Sequence, residues 1–319
     1  MKLNRFWTLF GFGVLLSLAL FKTRGDAQPN SFIEVVKGVW FREGDMSQGH
    51  CNNTVIEMKD SLVVIDANFP SGARALMADI KKVSSKPVKY VFDTHHHGDH
   101  AYGNAVWTQA GAITLAYKGV EEEMKRYEPA RWIGTDRPDV KELKLPTAEP
   151  PKEIFSKSQH VIEDGTRRIE FNFLGWAHTR GDGFAYLPKE KVLCTGDAAV
   201  NGPYNNVADA NLHNWPKVMA AAEKKDILYV LPGHGPRGGA EILTGQRIFF
   251  EELLKAVGAE VRKGKKLEDI VTFDGKNPKS TTIQLPPTVK KWVGEGFASQ
   301  VATTFHEIKD KKPAGDLPH

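Results

Sequence analysis

The chain has 319 residues, of which 41% are hydrophobic and 26% charged. That is enough for one large packed domain or two small ones, and it excludes a low-complexity or disordered chain. The formal charge of +4 falls to +1 once the first 27 residues are set aside, because Lys2, Arg5, Lys22 and Arg24 leave together with Asp26. So small a charge excludes the broad basic face that nonspecific nucleic-acid binding needs.

The N-terminus has its own pattern. Lys2 and Arg5 precede an apolar run from Phe6 to Phe21, and Gly25-Asp26-Ala27 offers a small-residue cleavage site. This reads as a secretory signal peptide over 1–27, leaving 28–319 as a single domain destined for the periplasm or the exterior. The run is short for a membrane span, and an uncleaved anchor is the alternative. No contact with the membrane is expected beyond the export signal. Export would permit a disulfide between Cys51 and Cys194, and two small buried thiols account for the same residues.

Val35–Phe41 reads as a strand, followed by strands at 53–58 and 62–65 around the turn Lys59-Asp60-Ser61. A helix with Ser71 as N-cap and Leu76, Ile80 and Val83 on one face runs toward Pro87. Val88–Thr94 is the next strand, with Tyr90 and Phe92 on one side and Val91 on the other. A short helix at 103–109, a strand at 113–117 and a helix at 121–127 follow. Residues 128–158 are rich in proline and charge and read as a surface excursion or lid. Strands are expected at 159–163, 168–174, 183–187, 191–195 and 227–231, helices at 214–224, 240–262 and 288–307, and a frayed tail from Lys309. Tight turns between several strand pairs favour an α/β sandwich of two sheets flanked by helices over one doubly wound sheet.

The chemistry concentrates in Thr94-His95-His96-His97-Gly98-Asp99-His100. In an extended segment alternate side chains share a face, so His95 and His97 point one way and His96 the other. Gly98 permits a sharp turn that returns Asp99 and His100 to the same pocket. Three further segments each follow an apolar strand and supply His178, Asp197 and His234. Imidazole and carboxylate donors in this number suit zinc, with iron or manganese as alternatives.

These segments resemble the metallo-β-lactamase superfamily over residues 33–240. The motifs are His-x-His-x-Asp-His, Gly-x-x-His-Thr-x-Gly-Asp at 175–182, Thr-Gly-Asp and Gly-His-Gly. The resemblance implies a four-layer αβ/βα sandwich of two mixed sheets flanked by helices, with two metals at one edge. One zinc would be held by His95, His97 and His178. The other would take Asp99, His100 and His234, with Asp197 bridging. Asp66 matches an early family aspartate that orients a ligand.

The implied chemistry is hydrolysis of a carbonyl-type bond in a small substrate by a metal-activated water, with Asp99 as ligand and proton shuttle. No Gly-x-Ser-x-Gly nucleophile elbow competes. The substrate is a β-lactam, a lactone, an ester or a thioester. Zinc β-lactamases place cysteine or serine where Asp197 stands, and some place lysine where Val200 stands, so a glyoxalase II-like thioesterase or a lactonase is the alternative. A non-hydrolytic iron-binding redox protein on the same scaffold is a further one. Tyr204 and Asn206, close after Asp197, are candidate substrate contacts, and Trp176, beside His178 in the chain, is a candidate to pack under the metal. The residues leave the oligomeric state open.

Overall fold

The computed structural model describes residues 30–317, so the expected signal peptide lies outside the described residues. A hairpin opens them. β1 (Phe32–Val36) and β2 (Val39–Arg42) pair antiparallel, and Gly38 makes the turn at φ 72°. The expected single strand over Val35–Phe41 is thus two, because glycine takes this left-handed conformation without steric penalty. β3 (Asn53–Glu57) and β4 (Leu62–Ile65) extend the sheet antiparallel. β5 (Val88–Asp93), β6 (Ile113–Tyr117) and β7 (Glu153–Phe155) then add in parallel, which completes seven strands.

The second sheet holds five. β8 (Gln159–Glu163), β9 (Arg168–Phe173), β10 (Gly183–Leu187) and β11 (Val192–Gly196) run antiparallel, and β12 (Tyr229–Pro232) joins β11 in parallel. A separate hairpin, β13 (Val271–Asp274) with β14 (Asn277–Thr281), was not expected. Its strands are mostly solvent-facing and carry little apolar alternation.

The sheets pack face to face. Phe41, Ile56, Val63 and Phe92 of the first meet Ile169, Phe171, Leu187 and Val192 of the second, and the Phe92 and Phe171 rings lie 4.4 Å apart. Tyr90 and Phe92 face this inner core while Val91 faces the helices, as strand alternation requires. Outside the first sheet lie α1 (Pro70–Ile80), α2 (Gly98–Ala101), α3 (Asn104–Gln109), α4 (Lys118–Gly134) and α5 (Pro138–Lys141). Outside the second lie α6 (Trp215–Ala222), α7 (Glu241–Arg262) and α8 (Phe297–Asp310). The layer order helix, sheet, sheet, helix is the expected αβ/βα sandwich.

Several boundaries differ from the sequence reading. Ser71 is not a cap: α1 begins at Pro70, whose missing N–H costs nothing there, and the Ser71 amide and hydroxyl donate to Asp139 at 3.0 and 2.6 Å. α4 runs well past the expected Tyr127 and through Pro129, because Val120, Met124, Glu128 and Trp132 recur every four residues on its buried face. Residues 128–158 are therefore no loose excursion: they finish α4, form α5 and add the edge strand β7. The expected helix over 288–307 is a 3-10 segment, Pro287–Trp292, and α8, separated by Gly294 and Gly296. The tail is pinned, since Ala314 and Gly315 are buried and Gly315 N donates to Ala210 O at 3.0 Å. Cys51 and Cys194 are free buried thiols, and burial pushes both up to about 12. Among the described residues, no helix is long and apolar enough to cross a membrane.

The start of α4 packs directly on the loop that follows His178. A Cβ on Gly119 would stand 2.3 Å from Arg180 O and 2.8 Å from Gly181 Cα, both backbone atoms that cannot step aside. Gly119→Ala is therefore expected to destabilise the protein by about 2 kcal/mol through overpacking, read as a lower urea midpoint at unchanged slope; an unchanged midpoint would show that the loop yields.

Candidate metal centre

All the polar segments singled out in the sequence leave strand ends at one edge of the sandwich. β4 delivers Asp66, β5 the histidine-rich turn, β9 the segment to His178, β11 Asp197 and β12 His234. Two glycines make the close approach possible. A Cβ on Gly233 would fall 2.1 Å from Asp197 Oδ1, and one on Gly196 would fall 2.3 Å from Thr94 Oγ1. The glycines of Thr-Gly-Asp and Gly-His-Gly are thus required by packing against the site itself.

Two donor groups result. In the first, His97 Nδ1 lies 3.1 Å from His95 Nε2 and 3.0 Å from His178 Nε2, so three ring nitrogens converge. Burial, reinforced by the neighbouring histidines, holds His95 well below the usual imidazole range and pushes His178 down to about 3. Both are neutral rings, the form that offers a lone pair. In the second, His234 Nε2 lies 3.0 Å from Asp99 Oδ2 and His100 Nε2 lies 3.4 Å from it. Asp197 stands between the groups, 3.4 Å from His100, 3.5 Å from His234 and 3.9 Å from His178. Burial opposes the charge on Asp197, and His234 and His100 outweigh it, holding the carboxyl well below its usual range.

The histidine candidates are backed by other groups. His100 Nδ1 meets Asp66 Oδ2 at 2.9 Å, while Asp66 Oδ1 accepts from Thr94 N at 2.8 Å. Asp66 adopts φ 68°, which turns its carboxylate back toward the site. His178 Nδ1 donates to Asn206 O at 2.9 Å. Asp182 accepts from the amides of Ala177, His178 and Thr179 and from the Thr179 hydroxyl, which explains the spacing of that motif. His97 Nε2 meets Asp209 Oδ2 at 2.8 Å, and Arg131 grips the same carboxylate with two bonds of 2.9 Å.

The sequence reading missed Asp209 and Arg131. Asp209 sits in a patternless segment, and Arg131 lies in the stretch read as a lid. His96 does turn away from the donor groups, stacking on Tyr127 and meeting Arg131 at 3.1 Å. Tyr204 is half-buried with its ring 6.0 Å from His234. The Asn206 side chain instead accepts from Ala208 N, and its part in the site is played by its carbonyl. The Trp176 side chain has partners of its own. Its ring carries Arg180 at 3.7 Å and its Nε1 donates to Asp209 O, while the ring near His178 is Trp215, 5.6 Å away. His50, His160 and His213 serve elsewhere, on Ser71, Phe155 and Glu307.

The match to known proteins follows this geometry. The metallo-beta-lactamase superfamily model covers residues 46–234. The chain belongs to the metallo-beta-lactamase superfamily. It is similar to the metallo-beta-lactamase type 2 of Bacteroides fragilis, 32% identical over 122 residues, which span 37% of this chain and 47% of that one, about half its length. The fold is similar to that of the metallo-beta-lactamase from Pontibacter korlensis, at TM-score 0.58 and 20% identity over 69% of this chain and 98% of that one. It is also similar to DIM-1 metallo-beta-lactamase, at TM-score 0.55 and 20% identity over 69% and 96%. Its clustered His/Asp groups could hold a metal ion.

The loop bearing His178 is also tied to α4 by charge. Arg180 Nε lies 3.3 Å from Glu123, whose carboxyl burial pushes up to about 7 against the pull of Arg180 and Arg126. This is above the unfolded value of about 4.3. The proton is then held more tightly in the fold, so the contribution of Glu123 is fully present below about pH 4.3 and lost as pH rises through about 7. Glu123→Gln, neutral throughout, should gain stability relative to the parent between pH 5 and 8 in denaturant titrations. A constant difference across that range would contradict it.

Proposed function

We propose that this chain is an exported dinuclear zinc hydrolase that opens a carbonyl-type bond in a small substrate. The observation that carries the reading is the pair of donor groups with Asp197 between them. His100 Nε2 and Asp197 Oδ1 are buried, face each other at 3.4 Å, and have no hydrogen-bond partner among the described residues. Buried polar atoms left this way are costly, and a cation between them would satisfy both. His95 Nε2, His97 Nδ1 and His178 Nε2 present the same case, three inward-facing nitrogens of which two belong to neutral rings. The nitrogen-and-carboxylate donor set favours zinc, with iron or manganese also accommodated.

Bound here, the ions would supply Lewis acidity and a water acidic enough to attack at neutral pH. His95, His97 and His178 would hold one and Asp99, His100 and His234 the other, with Asp197 within reach of both groups. The Asp99 carboxylate is the most exposed of the donors and could orient the attacking water and receive its proton. Tyr204 flanks His234 and would contact the substrate. The basic start, apolar run and Ala27 site of residues 1–27 support export to the periplasm or beyond.

The relatives' names favour a β-lactam as substrate. A second reading, a lactonase or glyoxalase II-like thioesterase, is favoured by the carboxylate at Asp197 and by Val200, which is fully buried and leaves no cation there for a substrate carboxylate. Zinc-loaded protein of residues 28–319 should turn over a chromogenic cephalosporin in a chelator-sensitive way if the first reading holds, and lactones or thioesters in preference if the second does. His97→Ala should remove activity on whichever substrate is cleaved. Turnover that survives both chelator and this substitution would rule out the metal mechanism.

Asp66→Ala frees the His100 ring and removes its carboxylate partner. Outer partners of this kind are typically worth 10–100-fold in metal affinity. A loss of about that size is expected for one of two ions in a chelator competition, and unchanged affinity for both would remove Asp66 from the site.

A further inference from the structure

We infer that Arg131, delivered by α4, is a positioning residue for the tri-histidine group, acting through Asp209 on His97. This rests on the metal reading above and adds a part of the chain that lies outside the ligand motifs.

The geometry is specific. Asp209 Oδ2 meets His97 Nε2 at 2.8 Å, on the ring edge opposite the Nδ1 that turns into the pocket. Which way His97 faces is therefore set by where that oxygen points. Two things fix it. The backbone of the Asp209 loop is pinned, with Trp176 Nε1 donating to Asp209 O at 2.8 Å and Gly315 N donating to Ala210 O at 3.0 Å. The remaining freedom is rotation of the carboxylate, and Arg131 removes it by gripping both oxygens, Nη1 on Oδ2 and Nη2 on Oδ1, at 2.9 Å each. A fork of this kind fixes a plane, which a single ammonium cannot do.

Arg131 is itself held. Its guanidinium lies 4.4 Å from the centre of the Tyr127 ring and 3.9 Å from Glu128, one turn and less away on the same helix. Glu128 in turn takes the Tyr102 hydroxyl, and the Tyr127 hydroxyl donates to Gly315 O at 3.1 Å. α4 thus presents the arginine from a fixed platform.

His96, His97 and Asp209 also form a cluster whose donor atoms could surround a cation. That site is already taken. Arg131 Nη1 stands 2.9 Å from Asp209 Oδ2 and 3.1 Å from His96 Nε2, so the guanidinium supplies the positive charge there. The cluster supports the ion-binding group beside it and holds no ion of its own.

The test uses the metal-free protein titrated with cobalt(II), whose absorption reports each site, and with zinc against a chromophoric chelator. Arg131→Gln should weaken one of the two ions by about 10–100-fold, the range for outer partners, and leave the other within about threefold. Its cobalt spectrum should lose the same bands as His178→Ala, and keep those lost in Asp99→Ala. Arg131→Lys, which keeps charge without the fork, should recover part of the affinity. Lys125→Ala, an exposed change on the same helix, should behave as the parent.

Equal affinities for both ions in the parent and in Arg131→Gln would overturn the inference and leave the hydrolase reading intact. A proportionate loss at both sites, with a fall in the melting temperature of the metal-free protein, would also overturn it, since that is a general structural effect. A parent chain that takes up no ions would overturn both readings.

Discussion

The molecule is organised around the cost of burying several carboxylates and imidazoles at one end of an otherwise apolar sandwich. An uncompensated charge in such a place costs several kcal/mol. The compensation is built in pairs. His95 has Thr94 Oγ1 at 3.1 Å behind it, His97 has Asp209, His100 has Asp66, His178 has the carbonyl of Asn206, and His234 has the sulfur of Met46 at 3.2 Å. One nitrogen of each ring is committed to the protein and the other faces the pocket. That arrangement fixes tautomer and direction together, which is what a metal site asks of its histidines.

The strand pairings make this possible. β4, β5 and β6 run parallel, as do β11 and β12, so their C-terminal ends gather at a single edge. Every site segment is the first irregular stretch after one of these ends or after β9. The stiff inner core, with Phe92 and Phe171 in contact, fixes the separation of the sheets and with it the distance between His95 and His178. Gly233 and Gly196 then let the chain backbones close to a distance no side chain would allow.

How much of this could be read from residues alone follows from the range of each interaction. The four donor segments are legible because each is local: an apolar strand, a glycine and a donor within a few positions. The alternation of Tyr90, Val91 and Phe92 was legible for the same reason, and the sandwich followed from the short turns between strands. The split at Gly38 was not, because a glycine in an apolar run carries no sign of its φ. α4 was cut short because Pro129 is a strong local signal, and the four-residue spacing of Val120, Met124, Glu128 and Trp132 outweighs it only once there is something to pack against. Asp209 and Arg131 are 78 positions apart and meet only in the fold.

The full length of α4 and the Asp209–Arg131 pair belong to one region, which decides how the site is braced. α4 touches the pocket at two points. Its first turn lies against the backbone at Arg180 and Gly181, just past His178, and its last turns carry Tyr127, Glu128 and Arg131 toward Asp209 and His97. Two of the three histidines of the first donor group are therefore braced from the same helix, while His95 is fixed by its own strand. The second group is braced instead by β4, through Asp66. The two halves of the pocket thus depend on different elements and on different long-range contacts. On the metal reading proposed above, their ion affinities would be set independently by changes far from any ligand, and α4 belongs to only one of them.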